Sequence, residues 1–63
     1  MDVGSLAGII WETLDKNGKL SATALAKESG LKKDEAMLAM GWLCREDKIL
    51  MEKVGNATKF SLK

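Results

Sequence analysis

The 63-residue chain contains no histidine, no proline and a single cysteine, Cys44. One cysteine cannot form an internal disulfide, and without histidine the usual ligand sets of structural zinc sites are missing. A chain this short buries only about 60% of the surface that its unfolded form exposes, so its core is thin. We therefore expect packing alone, or association with a second copy, to complete the fold.

The same absences argue against catalysis. No histidine is present for acid–base chemistry, no glycine-rich phosphate-binding loop occurs, and only Arg45 lies beside Cys44 to activate a thiolate. The acidic residues are scattered singly, and the four methionines are expected to fill gaps in packing rather than to bind metal. The sequence predicts a non-enzymatic protein with no cofactor, metal ion or small-molecule substrate, in which Cys44 is a semi-buried structural residue.

Long apolar runs are missing as well. No segment approaches the roughly 20 apolar residues of a membrane span, and no basic segment precedes an apolar one at the start, as in a secretory signal. Hydrophobic residues make up 46% and charged residues 30% of the chain, which is typical of a soluble globular domain. We expect a single domain over residues 1–63, located in the cytoplasm and without membrane contact.

Apolar residues recur at helical spacing in three segments. The first helix is predicted over residues 3–16, with Gly18 ending it; its apolar stripe comprises Val3, Leu6, Ala7, Ile10 and Leu14. The second is predicted over residues 22–29, with Ser21 as N-cap and Gly30 as a left-handed C-terminal residue. The third is predicted over residues 33–46, with Ala36, Met40 and Leu43 on its buried side.

Two β-rich segments follow, at residues 49–54 and 58–62. They are separated by Gly55, Asn56 and Ala57, and a turn through Gly-Asn is expected to use residues with positive φ. The absence of proline leaves every backbone donor of this β-hairpin available. The predicted core combines the helices and the hairpin: Leu6, Ile10, Leu14, Leu25, Leu31, Ala36, Met40, Leu43, Ile49 and Phe60.

Two segments carry a family resemblance: residues 19–31, KLSATALAKESGL, and residues 39–49, AMGWLCREDKI. They resemble a winged helix-turn-helix, and the chain is most similar to the small, stand-alone winged-helix proteins of bacteria and archaea whose function is uncharacterised. The resemblance covers nearly the whole chain. It implies an α+β, mostly α fold of three helices plus a two-stranded β-hairpin wing, with a short third strand near residue 20. Asp47 stands where such domains often have glycine, but aspartate also tolerates the left-handed conformation.

The charge distribution bears on DNA binding, since the third helix of a DNA-reading winged helix enters the major groove. Residues 31–48 carry four basic and four acidic side chains, whereas residues 48–63 carry four lysines and one glutamate, a net charge of +3. The candidate contacts to weakly bound double-stranded DNA are Lys32, Lys33, Arg45, Lys53 and Lys59. A total charge of +1 is much lower than the strongly positive charge typical of DNA-binding domains. DNA binding is therefore the alternative hypothesis.

Four large apolar residues lie outside the predicted core, which is too small to bury them all. Ile9 and Trp11 flank the stripe of the first helix on opposite sides, and Leu38 and Trp42 lie on the outer edge of the third. We favour the interpretation that Trp42 covers Ala39 and the wing to close the core, with a partner contact as the open alternative. Exposed apolar surface is unfavourable in water, and a second copy of the chain can bury it. The sequence therefore predicts an interaction module that forms a homodimer.

Overall fold

The computed structural model describes residues 2–63. In chain order its elements are α1 (Val3–Asn17), β1 (Leu20–Ser21), α2 (Ala22–Ser29), α3 (Lys33–Arg45), β2 (Ile49–Val54) and β3 (Ala57–Leu62). The predicted helices and hairpin strands are confirmed, with no boundary displaced by more than one residue. The short strand near residue 20 is also present.

Short polar side chains and glycine define the helix ends. The Asp2 carboxylate accepts a hydrogen bond from the Ser5 backbone N–H at 2.8 Å, and the Ser21 hydroxyl accepts one from the Ala24 N–H at 3.2 Å. Gly30 ends α2 in the left-handed conformation, with φ 76°. The predicted cap at Ser21 and the stop at Gly30 are confirmed, whereas the cap at Asp2 was not anticipated.

The three strands form one antiparallel sheet in the order β1-β3-β2. The β2–β3 hairpin is the wing. Val54 pairs with Ala57, so the turn consists of Gly55 and Asn56 alone, one residue shorter than predicted. Only Gly55, with φ 63°, has a positive φ among these residues. The expectation for Asn56 was therefore wrong, because a turn of the II′ kind requires positive φ only at its first central residue.

The core lies between the three helices and the inner face of the sheet. The buried apolar residues are Leu6, Ala7, Ile10, Leu14, Leu25, Ala36, Ala39, Met40, Leu43, Ile49 and Phe60. The predicted core is confirmed except for Leu31, which is half-buried and packs against it. The sequence pattern did not predict that Thr13 is buried. Its hydroxyl donates a hydrogen bond to the Ile9 carbonyl at 2.7 Å, so the polar group is satisfied away from water.

A tight turn connects α3 to the wing. Asp47 adopts φ 61°, which confirms that aspartate tolerates this position. The next N–H, that of Lys48, donates to the Leu43 carbonyl at 2.9 Å, and β2 begins one residue later at Ile49. The turn therefore places the wing beside the C-terminal half of α3. Across residues 2–63, no helix combines the length and apolar character needed to cross a membrane.

Candidate interaction surfaces

Helix α3 contributes to all the candidate surfaces beside it, because its different sides face the core, α1 and the wing. Its buried side contributes Ala36, Ala39, Met40 and Leu43 to the core. Trp42 lines a groove shared with α1, whereas Cys44 lines a groove shared with the wing. The α1 side and the wing side of α3 therefore carry different grooves, which adjoin at Met37 and Gly41.

Two adjoining open grooves lie between α1 and α3. One, of about 390 Å³, is lined by Ala7, Gly8, Trp11, Trp42, Leu43 and Lys48. The other, of about 310 Å³, is lined by Val3, Met37, Leu38, Gly41, Trp42 and Arg45. Trp42 lines both grooves, so the apolar surface is continuous from one to the other. We call Trp11, Leu38 and Trp42 together the α1/α3 surface.

The three side chains of the α1/α3 surface are large, apolar and open to solvent. Trp11 is 40% exposed, Leu38 58% and Trp42 38%. Trp42 lines both grooves between α1 and α3, so its indole forms part of their wall. The interpretation of Trp42 as a cover over Ala39 and the wing stays a prediction.

Ile9 is the one candidate interface residue that lies apart from the others. It is half-buried and lines a groove on the α2 side of α1. This location agrees with the prediction that Ile9 and Trp11 flank the α1 stripe on opposite sides. Ile9 therefore does not extend the α1/α3 surface.

The second apolar surface, which the sequence pattern missed, lies between α3 and the wing. This wing groove, of about 260 Å³, is lined by Met37, Met40, Gly41, Cys44, Met51 and Phe60. Met51 is 66% exposed and Met37 50%. Strand alternation from Ile49 indicates that Met51 faces inward, and helical spacing places Met37 beside Met40. The sequence alone could not place the two elements side by side.

The candidate DNA contacts are divided between two sides of the molecule. Lys53 pairs in register with Thr58, two positions along from the Met51–Phe60 pair, so it faces the same side of the sheet as the wing groove. Lys59 pairs with Ser21 and Glu52 and faces the opposite side. The wing therefore does not present both lysines to one ligand.

The remaining candidate DNA contacts lie along α3. Lys32 and Lys33 are exposed at its start, where the Glu35 carboxylate accepts a hydrogen bond from the Lys32 N–H at 3.2 Å. Arg45 is exposed at its end. Two apolar side chains, Met37 and Leu38, are exposed between them. The recognition-helix position is therefore a largely apolar surface with basic residues at its two ends.

Two ion pairs involve residues of the wing or beside it, and one of them neutralises a wing carboxylate rather than a lysine. Lys63 forms an ion pair with Asp47, and Lys19 forms one with Glu52.

Cys44 is half-buried as predicted, and burial raises the pKa of its thiol. A raised pKa favours the protonated thiol over the thiolate when nothing is bound to the sulfur.

Helix-turn-helix elements followed by a β-hairpin on a shared core define a winged-helix domain. A family model described as a winged helix-turn-helix domain, DUF2582, matches residues 1–62. The chain belongs to this family, and the predicted resemblance is confirmed. No curated protein sequence matches the chain significantly.

Solved structures show the same fold. Protein BT2368 from Bacteroides thetaiotaomicron is 32% identical, with a TM-score of 0.87 over 95% of this chain and 73% of that one. The Zalpha domain of Carassius auratus PKZ, solved in complex with Z-DNA, is 24% identical, with a TM-score of 0.83 over 97% of each chain. A structure of the DNA recognition and protein interaction domains of HOP2 is 28% identical, with a TM-score of 0.72 over 92% of this chain and 98% of that one.

Proposed function

We propose that this winged-helix domain is a non-enzymatic interaction module that forms a homodimer through the α1/α3 surface. The observation that carries the proposal is the continuity of three exposed apolar side chains, Trp11, Leu38 and Trp42, across two adjoining grooves. Exposed tryptophan supplies a large contact area at low conformational cost, and it is enriched at the energetic centres of protein interfaces. A two-fold dimer brings the same surface of each copy together and removes this apolar area from water.

Two glycines inside helices are further evidence for a partner contact at the α1/α3 surface. Gly8 lies in one groove and Gly41 in the other. A Cβ added at either position meets no atom within 4 Å, so internal packing does not require glycine there. Glycine inside a helix is nevertheless less stable than alanine by about 0.5–1 kcal/mol. Close approach of a partner's backbone accounts for both residues.

Sedimentation equilibrium over a wide concentration range tests the proposal. The wild-type protein is expected to shift from monomer to dimer, because association covers the α1/α3 surface. Trp11→Ala and Leu38→Glu should weaken the dimer. Leu50→Glu is the matched control, since Leu50 is 48% exposed and faces the side of the sheet opposite to Phe60. A wild-type protein that stays monomeric at every concentration would contradict the proposal.

DNA binding is a second candidate function, and the structural relatives favour it. The Zalpha domain of PKZ is bound to Z-DNA, and the HOP2 structure contains DNA recognition domains. Lys33, Arg45 and Lys53 carry no ion pair among residues 2–63. They are the basic candidates on α3 and on the wing face that adjoins the wing groove. A few phosphate contacts of this kind give weak binding that salt suppresses.

Titration of a labelled DNA duplex at low and moderate salt tests this second function. The expected slope of log affinity against log salt is about −3 to −5 for a handful of phosphate contacts. Lys53→Gln should weaken binding, whereas Lys59→Gln, on the opposite side of the sheet, should change it less. Absence of binding at low salt and high protein concentration would remove DNA as a ligand.

A further inference from the structure

All four sulfur-containing side chains of residues 2–63 line the wing groove. Three are the thioethers of Met37, Met40 and Met51, and the fourth is the thiol of Cys44. Within the described residues 2–63, the groove lining includes no carboxylate, side-chain amide or charged side chain. This concentration of sulfur distinguishes the wing groove from the grooves of the α1/α3 surface.

The fold explains why these sulfur-containing side chains converge. Met37 and Met40 are three residues apart and Met40 and Cys44 four apart, so the three share one side of α3. Met51 comes from β2 and pairs in register with Phe60, which places it on the sheet face that packs against the helix. The sulfur-containing residues of two separate elements therefore line one space of about 260 Å³.

The chemistry of this lining selects one class of metal ion. Hard cations such as Mg²⁺ and Ca²⁺ prefer oxygen ligands, whereas thioether and thiolate sulfur select soft metal ions. Structural zinc sites and iron–sulfur clusters use several thiolates or histidines, so a lining of three thioethers and one thiol favours Cu(I). A monovalent cation bound to one thiolate has no net charge, so an apolar groove accommodates the pair at a low desolvation cost. Met37 and Met51 are largely exposed while Met40 is 3% exposed, which gives the site an open rim and a closed floor.

We propose that the wing groove is a Cu(I) site in which Met40, Met51 and the Cys44 thiolate are ligands and Met37 completes the rim. Binding breaks the S–H bond of Cys44, releases its proton to solvent and forms a sulfur–copper bond; copper remains Cu(I) throughout. The bound ion joins α3 to β2 and so fixes the wing against the helix. The wing groove adjoins the grooves beside α1 at Met37 and Gly41, but the three ligands Met40, Cys44 and Met51 line neither of those grooves, so copper binding does not require dimer formation.

Anaerobic titration against the chromophoric Cu(I) chelator bicinchoninate tests the proposal. The full chain is expected to remove one equivalent of Cu(I) from the chelator. Met51→Leu and Cys44→Ser should each lower the Cu(I) affinity by about tenfold or more, because loss even of an outer-shell partner lowers metal affinity 10- to 100-fold. Leucine has nearly the volume of methionine, so Met51→Leu should leave the Tm of the copper-free protein almost unchanged. Leu38→Met, which adds a thioether outside the wing groove, should not raise the affinity.

A second measurement locates the ion. In a protein labelled at its methionine methyl groups, Ag(I), a redox-inert substitute for Cu(I), should shift the NMR signals of Met37, Met40 and Met51. In the Leu38→Met variant, the signal of the added methionine, which lies outside the wing groove, should stay in place. Failure to compete with bicinchoninate, or an affinity that Met51→Leu and Cys44→Ser leave unchanged, would overturn the proposal.

Discussion

At the scale of single residues, Leu43 links the core to the wing. Its side chain is 4% exposed, and its carbonyl accepts the hydrogen bond from Lys48 that directs the chain into β2. The side chain was predicted to be buried from its spacing to Ala36 and Met40 alone. The left-handed conformation of Asp47 was expected, but the carbonyl that accepts the Lys48 N–H was not predicted, because no pattern in the sequence marks it.

Leu43→Ala is expected to lower the free energy of unfolding by about 2–5 kcal/mol, since it removes buried methyl groups and leaves a cavity. Urea denaturation measures the change. Leu50→Ala is the control, because Leu50 is 48% exposed, lies outside the α1/α3 surface, and exposed substitutions usually change stability by less than about 0.5 kcal/mol. Equal losses from the two substitutions would show that Leu43 is not a core residue.

Asp2 makes the stability of α1 dependent on pH. The hydrogen bond from the Ser5 backbone N–H lowers the pKa of the Asp2 carboxyl in the folded protein. Its contribution is therefore present above the pKa of the unfolded chain and is lost as pH falls through the lowered folded pKa. Asparagine also caps helices but carries no charge.

We accordingly expect Asp2→Asn to remain as well folded as wild type at low pH and to lose less stability between about pH 5 and pH 2. Thermal unfolding followed by circular dichroism at a series of pH values measures the difference. Other carboxylates contribute equally to both proteins, so the comparison isolates Asp2. Identical acid profiles would show that this cap does not stabilise the folded state.

At the scale of elements, helices are predicted better than turns because their signals are local. Ser21 and Gly30 mark the ends of α2 in the sequence, and both are found where expected. The hairpin turn depends instead on the register between strands: pairing of Val54 with Ala57 shortens it to two residues. Register also decides that Lys59 and Lys53 face opposite sides, which is why the predicted set of DNA contacts is divided.

Gly41 provides a test of α3 as an interface helix. Gly41→Ala is expected to stabilise the monomer by about 0.5–1 kcal/mol, since alanine is the better helix former and its Cβ meets no atom within 4 Å. The added methyl group should at the same time weaken the dimer by holding the two helices apart. Thermal unfolding at low concentration and sedimentation at high concentration measure the two effects. An alanine variant that is less stable as a monomer would indicate an internal role for Gly41.

At the scale of the whole molecule, the sequence predicted more large apolar side chains than one core can bury. It did not predict which of them lie side by side. Trp11, Leu38 and Trp42 line two adjoining grooves because α1 packs against α3, whereas Ile9 lines a groove on the α2 side of α1. Met37 and Met51 line one groove because the wing lies beside α3. These are contacts between elements distant in sequence, and helical or strand periodicity within one element carries no information about them.

Dimer formation predicts a melting temperature that depends on protein concentration. Association stabilises the folded state by mass action, by about 2.7 kcal/mol when a partner is present at about 100 times the Kd. For a domain of this size each kcal/mol raises the Tm by about 4–8 °C, so the wild-type Tm should increase by several degrees as concentration rises through the Kd. Leu38→Glu should abolish the increase, because a charge at the centre of the α1/α3 surface is desolvated in the dimer. Leu50→Glu should retain the increase, and a wild-type Tm that is the same at all concentrations would contradict self-association.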